Sequence, residues 1–445
     1  MKITFILPAI GKKKDEKYIK TWKKMEPLVI STLKSITPKD IETEFFDDRL
    51  ELINYDTNTD LVMISVEMYT SRRAYIIAEK FRNKNVKVMM GGYHVTLMSD
   101  EVVEHADSIL IGNAEKIWTE VINDLKNNSL KKKYYGNFGF ERGIPDRSIF
   151  KEKKYSPIGL VETGRGCIFH CEFCAITACY SGKYHKRNIE DIVEDIKSSG
   201  KKYFFFVDDN IVADQNYTIE LLKAIEPLNI RWSAQGSLTM AKNDELLSLM
   251  KKSGCDVILI GYESVNRKNL EQMKKDWSLS LGERDTLTEK IHSYGINIYA
   301  TFVFGFDYDD DETFEETLRF AFKHNFFFAA FNHLLPFPGT ELHERFVKEN
   351  RLLKDKWWLD ENYSYGDIPY KPKNMTAEEL SEKCADARRK FFTYSSIFKR
   401  FSKLLFRKSD LMLWLIFLTQ NINLKKEVDG KLRLPLGSGL DENPK

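Results

Sequence analysis

Three cysteines stand within eight positions in the segment Glu162-Thr-Gly-Arg-Gly-Cys167-Ile-Phe-His-Cys171-Glu-Phe-Cys174, a C-x3-C-x2-C spacing on a loop opened by glycines. Soft thiolates at that density select zinc or an iron–sulfur cluster. A closed zinc site wants a fourth protein ligand, and iron–sulfur clusters ordinarily take four cysteines, so three thiols leave one iron open. An open iron can coordinate the amino and carboxylate groups of a small ligand. The competing arrangement is a zinc loop completed by His170, His185 or Cys179, or thiols with no metal at all. Cys255 and Cys384 stand alone among apolar neighbours and read as packing residues.

Other chemistry-bearing residues follow apolar runs. Phe204-Phe-Phe-Val-Asp-Asp-Asn210 ends in three adjacent polar groups, costly to bury unless they face a polar ligand or one another. Gly261-Tyr-Glu-Ser264 places Glu263 for hydrogen bonds to a ribose or an ammonium group, or for a structural role. In Phe302-Val-Phe-Gly-Phe306 the glycine allows close approach of a flat ring. Earlier, Glu67-Met-Tyr-Thr70 and Gly91-Gly-Tyr-His-Val-Thr96 follow two further runs, and a glycine pair there admits a bulky cofactor.

The elements that must carry these groups alternate. Apolar runs at 3–7, 44–46, 61–66, 86–90 and 109–111 are separated by stretches of helical period such as 71–81 and 114–125. This βαβ rhythm implies a doubly wound, Rossmann-like parallel sheet over residues 1–130, with ligands beyond the carboxyl ends of its strands. Residues 131–157, polar and marked by glycine and proline, read as a linker. Six further strands, near 159–162, 203–207, 230–234, 257–260, 296–304 and 327–334, imply a (β/α)6 partial TIM-type barrel over 158–345, with functional groups at the strand ends. Residues 346–445 read as a helical C-terminal cap. The fold class is α/β.

The cysteine triplet resembles the signature of the radical S-adenosylmethionine (SAM) superfamily. With the N-terminal domain before it, the chain is similar over nearly its whole length to the cobalamin-binding class, a match that includes Gly112-Asn-Ala-Glu115 and the Lys23–Pro27 region. The resemblance implies a 4Fe-4S cluster on Cys167, Cys171 and Cys174, whose reduced form cleaves SAM to a 5′-deoxyadenosyl radical. It places Phe173 against the adenine and Asp208, Asp209, Asn210, Glu263, Ser264 and Gly305 in the SAM site. It assigns Glu67, Tyr69, Thr70, Gly91, Gly92, His94, Thr96, Gly112 and Glu115 to cobalamin. No D-x-H-x-x-G string occurs, so cobalamin is expected base-off, without a histidine under the cobalt.

The implied reaction is C-methylation of an unreactive carbon, with one SAM split to the radical and a second remethylating the cobalt. Ring closure or rearrangement without net methylation also occurs in the class. From a different class, an iron–sulfur electron-transfer or redox-sensing protein uses the same thiols but has no need of the polar strand ends. The resemblance also implies an external low-potential electron donor such as flavodoxin or ferredoxin.

The bulk composition limits partners. Sixty-eight basic and sixty-six acidic side chains give a net charge of +2, so no nucleic acid is expected. The short clusters Lys12–Lys14 and Lys131–Lys133 read as solvated surface. Six cysteines, not spaced as a disulfide framework, imply a reducing, cytoplasmic setting. The N-terminus reads as a first strand and not as an export signal. Leu411–Leu418 is apolar throughout but far shorter than the roughly 20 residues a spanning helix needs. With the basic, amphipathic 395–405 stretch before it, it suits a lipid-like substrate or peripheral membrane contact, a core helix being the plainer reading. Otherwise the substrate is a small molecule.

Overall fold

The computed structural model describes residues 1–12, 24–406, 410–431 and 433–440. Its first sheet comprises β1 (Lys2–Leu7), β2 (Glu42–Asp47), β3 (Leu61–Ser65), β4 (Lys87–Gly91), β5 (Ser108–Ile111) and β6 (Lys133–Tyr135). All run parallel in the order β2-β1-β3-β4-β5-β6. Side chains alternate between two cores: Ile3, Phe5, Met63, Met89 and Leu110 face one, and Ile6, Val62, Ile64, Val88, Met90 and Ile109 the other. Burial on both faces explains why these strands are apolar throughout instead of alternating. The chain direction across the sheet reverses between β1 and β3, the crevice where doubly wound sheets receive ligands.

Residues 131–157 are not a linker. They contribute β6 to the sheet, and Tyr134, Phe150 and Tyr155 join its core. The lysines that disguised β6 suit its edge position: Lys131 pairs with Glu120, Lys132 donates to the Ala106 carbonyl, and Lys133 pairs with Asp100 at 2.7 Å.

The second sheet follows as β7 (Ile158–Val161), a short ribbon of β8 (Gly164–Gly166) and β9 (Tyr184–Lys186), then β10 (Tyr203–Phe206), β11 (Arg231–Gly236), β12 (Cys255–Glu263), β13 (Asn297–Phe304) and β14 (Phe328–His333). Apart from the ribbon these strands pair in parallel and in sequence, β7-β10-β11-β12-β13-β14, with β7 and β14 left as edges, so the barrel stays open. Phe204, Phe206, Trp232, Ile258, Ile260 and Phe302 fill the core beneath the covering helices. Their neighbours Phe205, Ser233, Leu259, Tyr299, Thr301 and Ala330 point to the inner face and are only partly buried. The inner face is therefore available to a ligand.

The C-terminal region is helical in part. Helices Ala377–Phe391, Tyr394–Leu404 and Leu411–Lys431 cover the barrel. The intervening 349–376 and the tail 433–440 instead cross to the first sheet. There Trp357, Trp358, Tyr363 and Leu436 pack with Met68, and the Gly437 N–H donates to the Ile10 carbonyl at 2.7 Å. Within Leu411–Leu418, Leu413 and Phe417 pack on Ile397, Leu404 and Phe327, as a core helix does. Among the described residues no helix is long and apolar enough to cross a membrane. Lys13, Lys14 and Lys23 lie outside the described residues.

Candidate active site

The cysteine loop leaves β7 and is pinched at its base by the antiparallel β8–β9 ribbon. Glycine is required there: a Cβ at Gly164 would lie 2.1 Å from the Tyr184 hydroxyl, and Gly166 holds φ +84° with the Lys183 carbonyl 2.1 Å from where its Cβ would be. Beyond the pinch, Cys167, Cys171 and Cys174 are partly buried. Burial raises the pKa of each thiol, Cys171 to about 12, and the neighbouring thiols raise Cys171 and Cys174 further. Such a trio ionises readily only beside a bound cation. Among the described residues no three His, Cys, Asp or Glu side chains close on one ion-sized point, the three cysteines included. Three thiols on one loop, within one another's electrostatic reach, fit a larger metal group.

Asp208, Asp209 and Asn210 emerge from β10 beside this loop and divide the work. Asp208 accepts the Thr163 N–H at 2.7 Å and the Thr163 hydroxyl; Asp209 accepts the Gly166 N–H at 2.8 Å. Burial raises their carboxyls to about 7 and about 6. Both grip the backbone that presents Cys167. Asn210 differs: its Nδ2 lies 3.8 Å from the Cys167 Sγ, and its buried Oδ1 has no partner. A buried amide oxygen left this way invites a donor from a bound ligand.

On the far side, the β12–β13 register shifts between Gly261 and Glu263, a bulge that puts Glu263 at φ 60°. Few non-glycine residues adopt that conformation, and it re-aims the side chain. Glu263 holds Lys275 at 2.8 Å. Although burial opposes its charge, Glu263 and the Cys171 and Cys174 thiols raise the Lys275 pKa. Lys275 thus faces the thiols as a fixed cation, and no motif in the sequence announced it. Ser264 caps the next turn, accepting from Asn266 and Asn269. Gly305 does lie against a flat ring, but the ring is Tyr370's: the Tyr370 hydroxyl donates to the Gly305 carbonyl at 3.1 Å and would sit 2.0 Å from an added Cβ. Phe173 packs edge-on to Phe306.

At the carboxyl ends of β3, β4 and β5 opens a cavity of about 380 Å³. Glu67, Gly91, Gly92, Thr96, Gly112 and Glu115 line it, over an apolar shelf from Leu28, Leu33, Met63 and Leu110. Glu67 is surrounded by protein while open to the cavity, and desolvation raises its carboxyl above the usual range. Thr96 ties two of the loops together, its hydroxyl accepting the Gly112 N–H and donating to the Gly92 carbonyl, each at 3.0 Å. A Cβ on Gly92 would strike the Val66 carbonyl at 2.6 Å, so that glycine serves backbone packing as well as access.

Three residues expected at the cavity do not line it. Tyr69 packs on Trp357 and Tyr365, and the Thr70 hydroxyl bonds the Glu67 backbone. His94 is buried and turned away, its Nε2 3.1 Å from Glu101 Oε1. Among the described residues no histidine lines the cavity, which fits a flat cofactor held without an imidazole ligand.

The cavity's opposite wall comes from the second sheet: Glu162, Arg165, Cys179, Tyr180 and Val207. Arg165 bridges the two units, paired with Glu115 at 2.6 Å and Glu162 at 2.8 Å and stacked on Phe140. It stands two residues before Cys167. Sequence reasoning passed over it, though an arginine between two glycines just before the first cysteine of the triplet was the available signal.

Comparison with known proteins agrees with this geometry. The family model for the radical SAM superfamily matches residues 161–321. The bacteriochlorophyllide d C-12(1)-methyltransferase of Chlorobaculum tepidum is 29% identical over 394 residues, covering 84% of each chain. The structure of TsrM from Kitasatospora setae, a radical SAM methyltransferase with cobalamin and a [4Fe-4S] cluster bound, aligns with TM-score 0.63 at 14% identity, over 78% of this chain and 75% of that one. The cobalamin-dependent SAM radical enzyme OxsB, with aqua-cobalamin and SAM bound, aligns with TM-score 0.65 at 12% identity, over 96% of this chain and 71% of that one.

Proposed function

We propose that this chain, which belongs to the radical S-adenosylmethionine superfamily, is a cobalamin-dependent C-methyltransferase that acts on an unreactive carbon. The observation that carries the reading is the shared wall. Arg165, just before the cysteine loop, and Cys179 and Tyr180, on the helix Ala175–Tyr180 that follows it, line the cavity of the first sheet, so two cofactor sites face each other across one layer of side chains. A protein that only passes electrons needs no such second chamber.

Cys167, Cys171 and Cys174 would hold the cluster, and Phe173, Asn210 and Glu263 the bound SAM. Asp208, Asp209, Ser264 and Gly305 support them through the loop backbone and the strand ends. Glu67, Gly91, Gly92, Thr96, Gly112 and Glu115 would hold cobalamin. When bound, these groups supply a carbon-centred radical and a transferable methyl group, chemistry that no side chain provides. The protein's part is orientation and exclusion of water. Asp208 and Asp209 fix the loop, Lys275 sets a positive charge beside the thiols, and Arg165 locks the two chambers together.

The apolar inner face, with Phe205, Leu259 and Val303, supports a largely apolar small-molecule or lipid-like substrate. The bacteriochlorophyllide in the relative's name supports the same choice. Electrons come from an external low-potential donor such as flavodoxin or ferredoxin, in a reducing, cytoplasmic setting that matches the six free cysteines.

Cobalamin loading tests the assignment. Protein reconstituted with hydroxocobalamin should bind about one cobalt per chain with a spectrum lacking a nitrogenous lower ligand, unchanged by His94→Ala. Failure to retain cobalt, or a histidine-ligated spectrum lost in His94→Ala, contradicts it.

A further inference from the structure

The C-terminal helices Tyr394–Leu404 and Leu411–Lys431 pack against each other as a hairpin. Each has a buried stripe. Ile397, Arg400 and Leu404 face inward on the first, and Leu413 and Phe417 on the second. Together with Phe327 and Val257 they form a small core against the barrel.

The opposite stripes are apolar too. Phe398 is 62% exposed and followed by Leu405 seven residues on; Phe406 is 90%, Leu411 66% and Leu415 50% exposed, with Met412 beside them. Leu411 and Leu415, four residues apart, share a face of the second helix, while Phe398 and, just past the end of the first helix, Leu405 and Phe406 are its exposed apolar side chains. Soluble surfaces seldom leave a contiguous apolar patch of this kind unpartnered.

Charge identifies the partner. Arg400 is buried in the hairpin, and Asp410 pairs with Arg231 at 2.7 Å. Lys399 and Lys403 are exposed beside the apolar stripe. A second copy of this chain would set like charges against each other. A bilayer bearing anionic headgroups meets both features at once, since apolar side chains enter the acyl boundary while lysines reach the phosphates. Neither helix of the hairpin is both long and apolar enough to span.

We propose that this hairpin docks the enzyme on the surface of an anionic membrane. The buried side of the hairpin packs against Val257, Phe327, Tyr299 and Phe328 near the starts of β12, β13 and β14, so docking would leave the carboxyl ends of the strands, with the cysteine loop, on the far side of the barrel from the membrane. The proposal stands apart from the cofactor assignment.

The test is flotation of the reconstituted protein with vesicles of phosphatidylcholine alone or with phosphatidylglycerol added, alongside sedimentation velocity without lipid. Binding should require phosphatidylglycerol, weaken as salt screens the lysines, and fall about fivefold for each of Lys399→Gln and Lys403→Gln. The double variant Phe406→Ser/Leu411→Ser should abolish flotation while retaining iron and native circular dichroism, since both side chains are exposed. Absence of wild-type flotation overturns the proposal. So does a concentration-dependent dimer that the double variant dissolves, which would make the face a self-association surface.

Discussion

Glu101 illustrates how a single buried carboxylate ties distant parts of the chain. Its Oε1 accepts from the Tyr75 hydroxyl at 2.8 Å, His94 Nε2 at 3.1 Å and Trp358 Nε1 at 3.1 Å, the last from the C-terminal region. Burial pushes its pKa up, but these hydrogen bonds win and hold it near 2, against an ordinary 4.5. A depressed pKa contributes stability that is fully present above the unfolded value and lost as pH falls through the folded one. The contribution is about 3 kcal/mol and should disappear between pH 4.5 and 2. Urea titrations at stepped pH should show this acid limb in the wild type and a shallower one in Glu101→Gln. Equal slopes in both would remove Glu101 as its source.

Among the elements, the β8–β9 ribbon has the most direct hold on the cysteines. Gly166 is left-handed and has the Lys183 carbonyl where a side chain would be, so Gly166→Ala should cost about 2–4 kcal/mol locally and loosen the loop. Iron content after reconstitution should drop well below that of the wild type while β10–β14 keep their circular dichroism; full iron loading would show that the ribbon does not shape the site. Residue spacing alone made much of this fold legible. All six strands of the second sheet were expected near their observed positions, because parallel strands buried on one or both faces leave long apolar runs. The cysteine spacing likewise pointed to the loop. Side-chain direction was not legible. Asp208 and Asp209 turned to the loop backbone, His94 turned from the cavity, and Lys275 arrived from a turn with no motif of its own. β6 was missed because three residues with a lysine edge carry too little apolar pattern to read.

At the scale of the molecule, two parallel sheets direct the carboxyl ends of their strands toward a common wall, and the C-terminal region crosses from one to the other. Trp357 and Trp358 seal against Met68 while Tyr370 closes on Gly305, so the last hundred residues hold both chambers in place. Beside this wall, we propose, the thiols of Cys167, Cys171 and Cys174 support radical chemistry on SAM. The direct measurement is 5′-deoxyadenosine formed by the reduced, anaerobically reconstituted protein, set beside iron content. Wild type should carry about four irons per chain and release the nucleoside, and Cys171→Ala should lose both the cluster absorbance and the product. Stoichiometric zinc without nucleoside in the wild type, or unchanged cluster content in Cys171→Ala, would contradict the account.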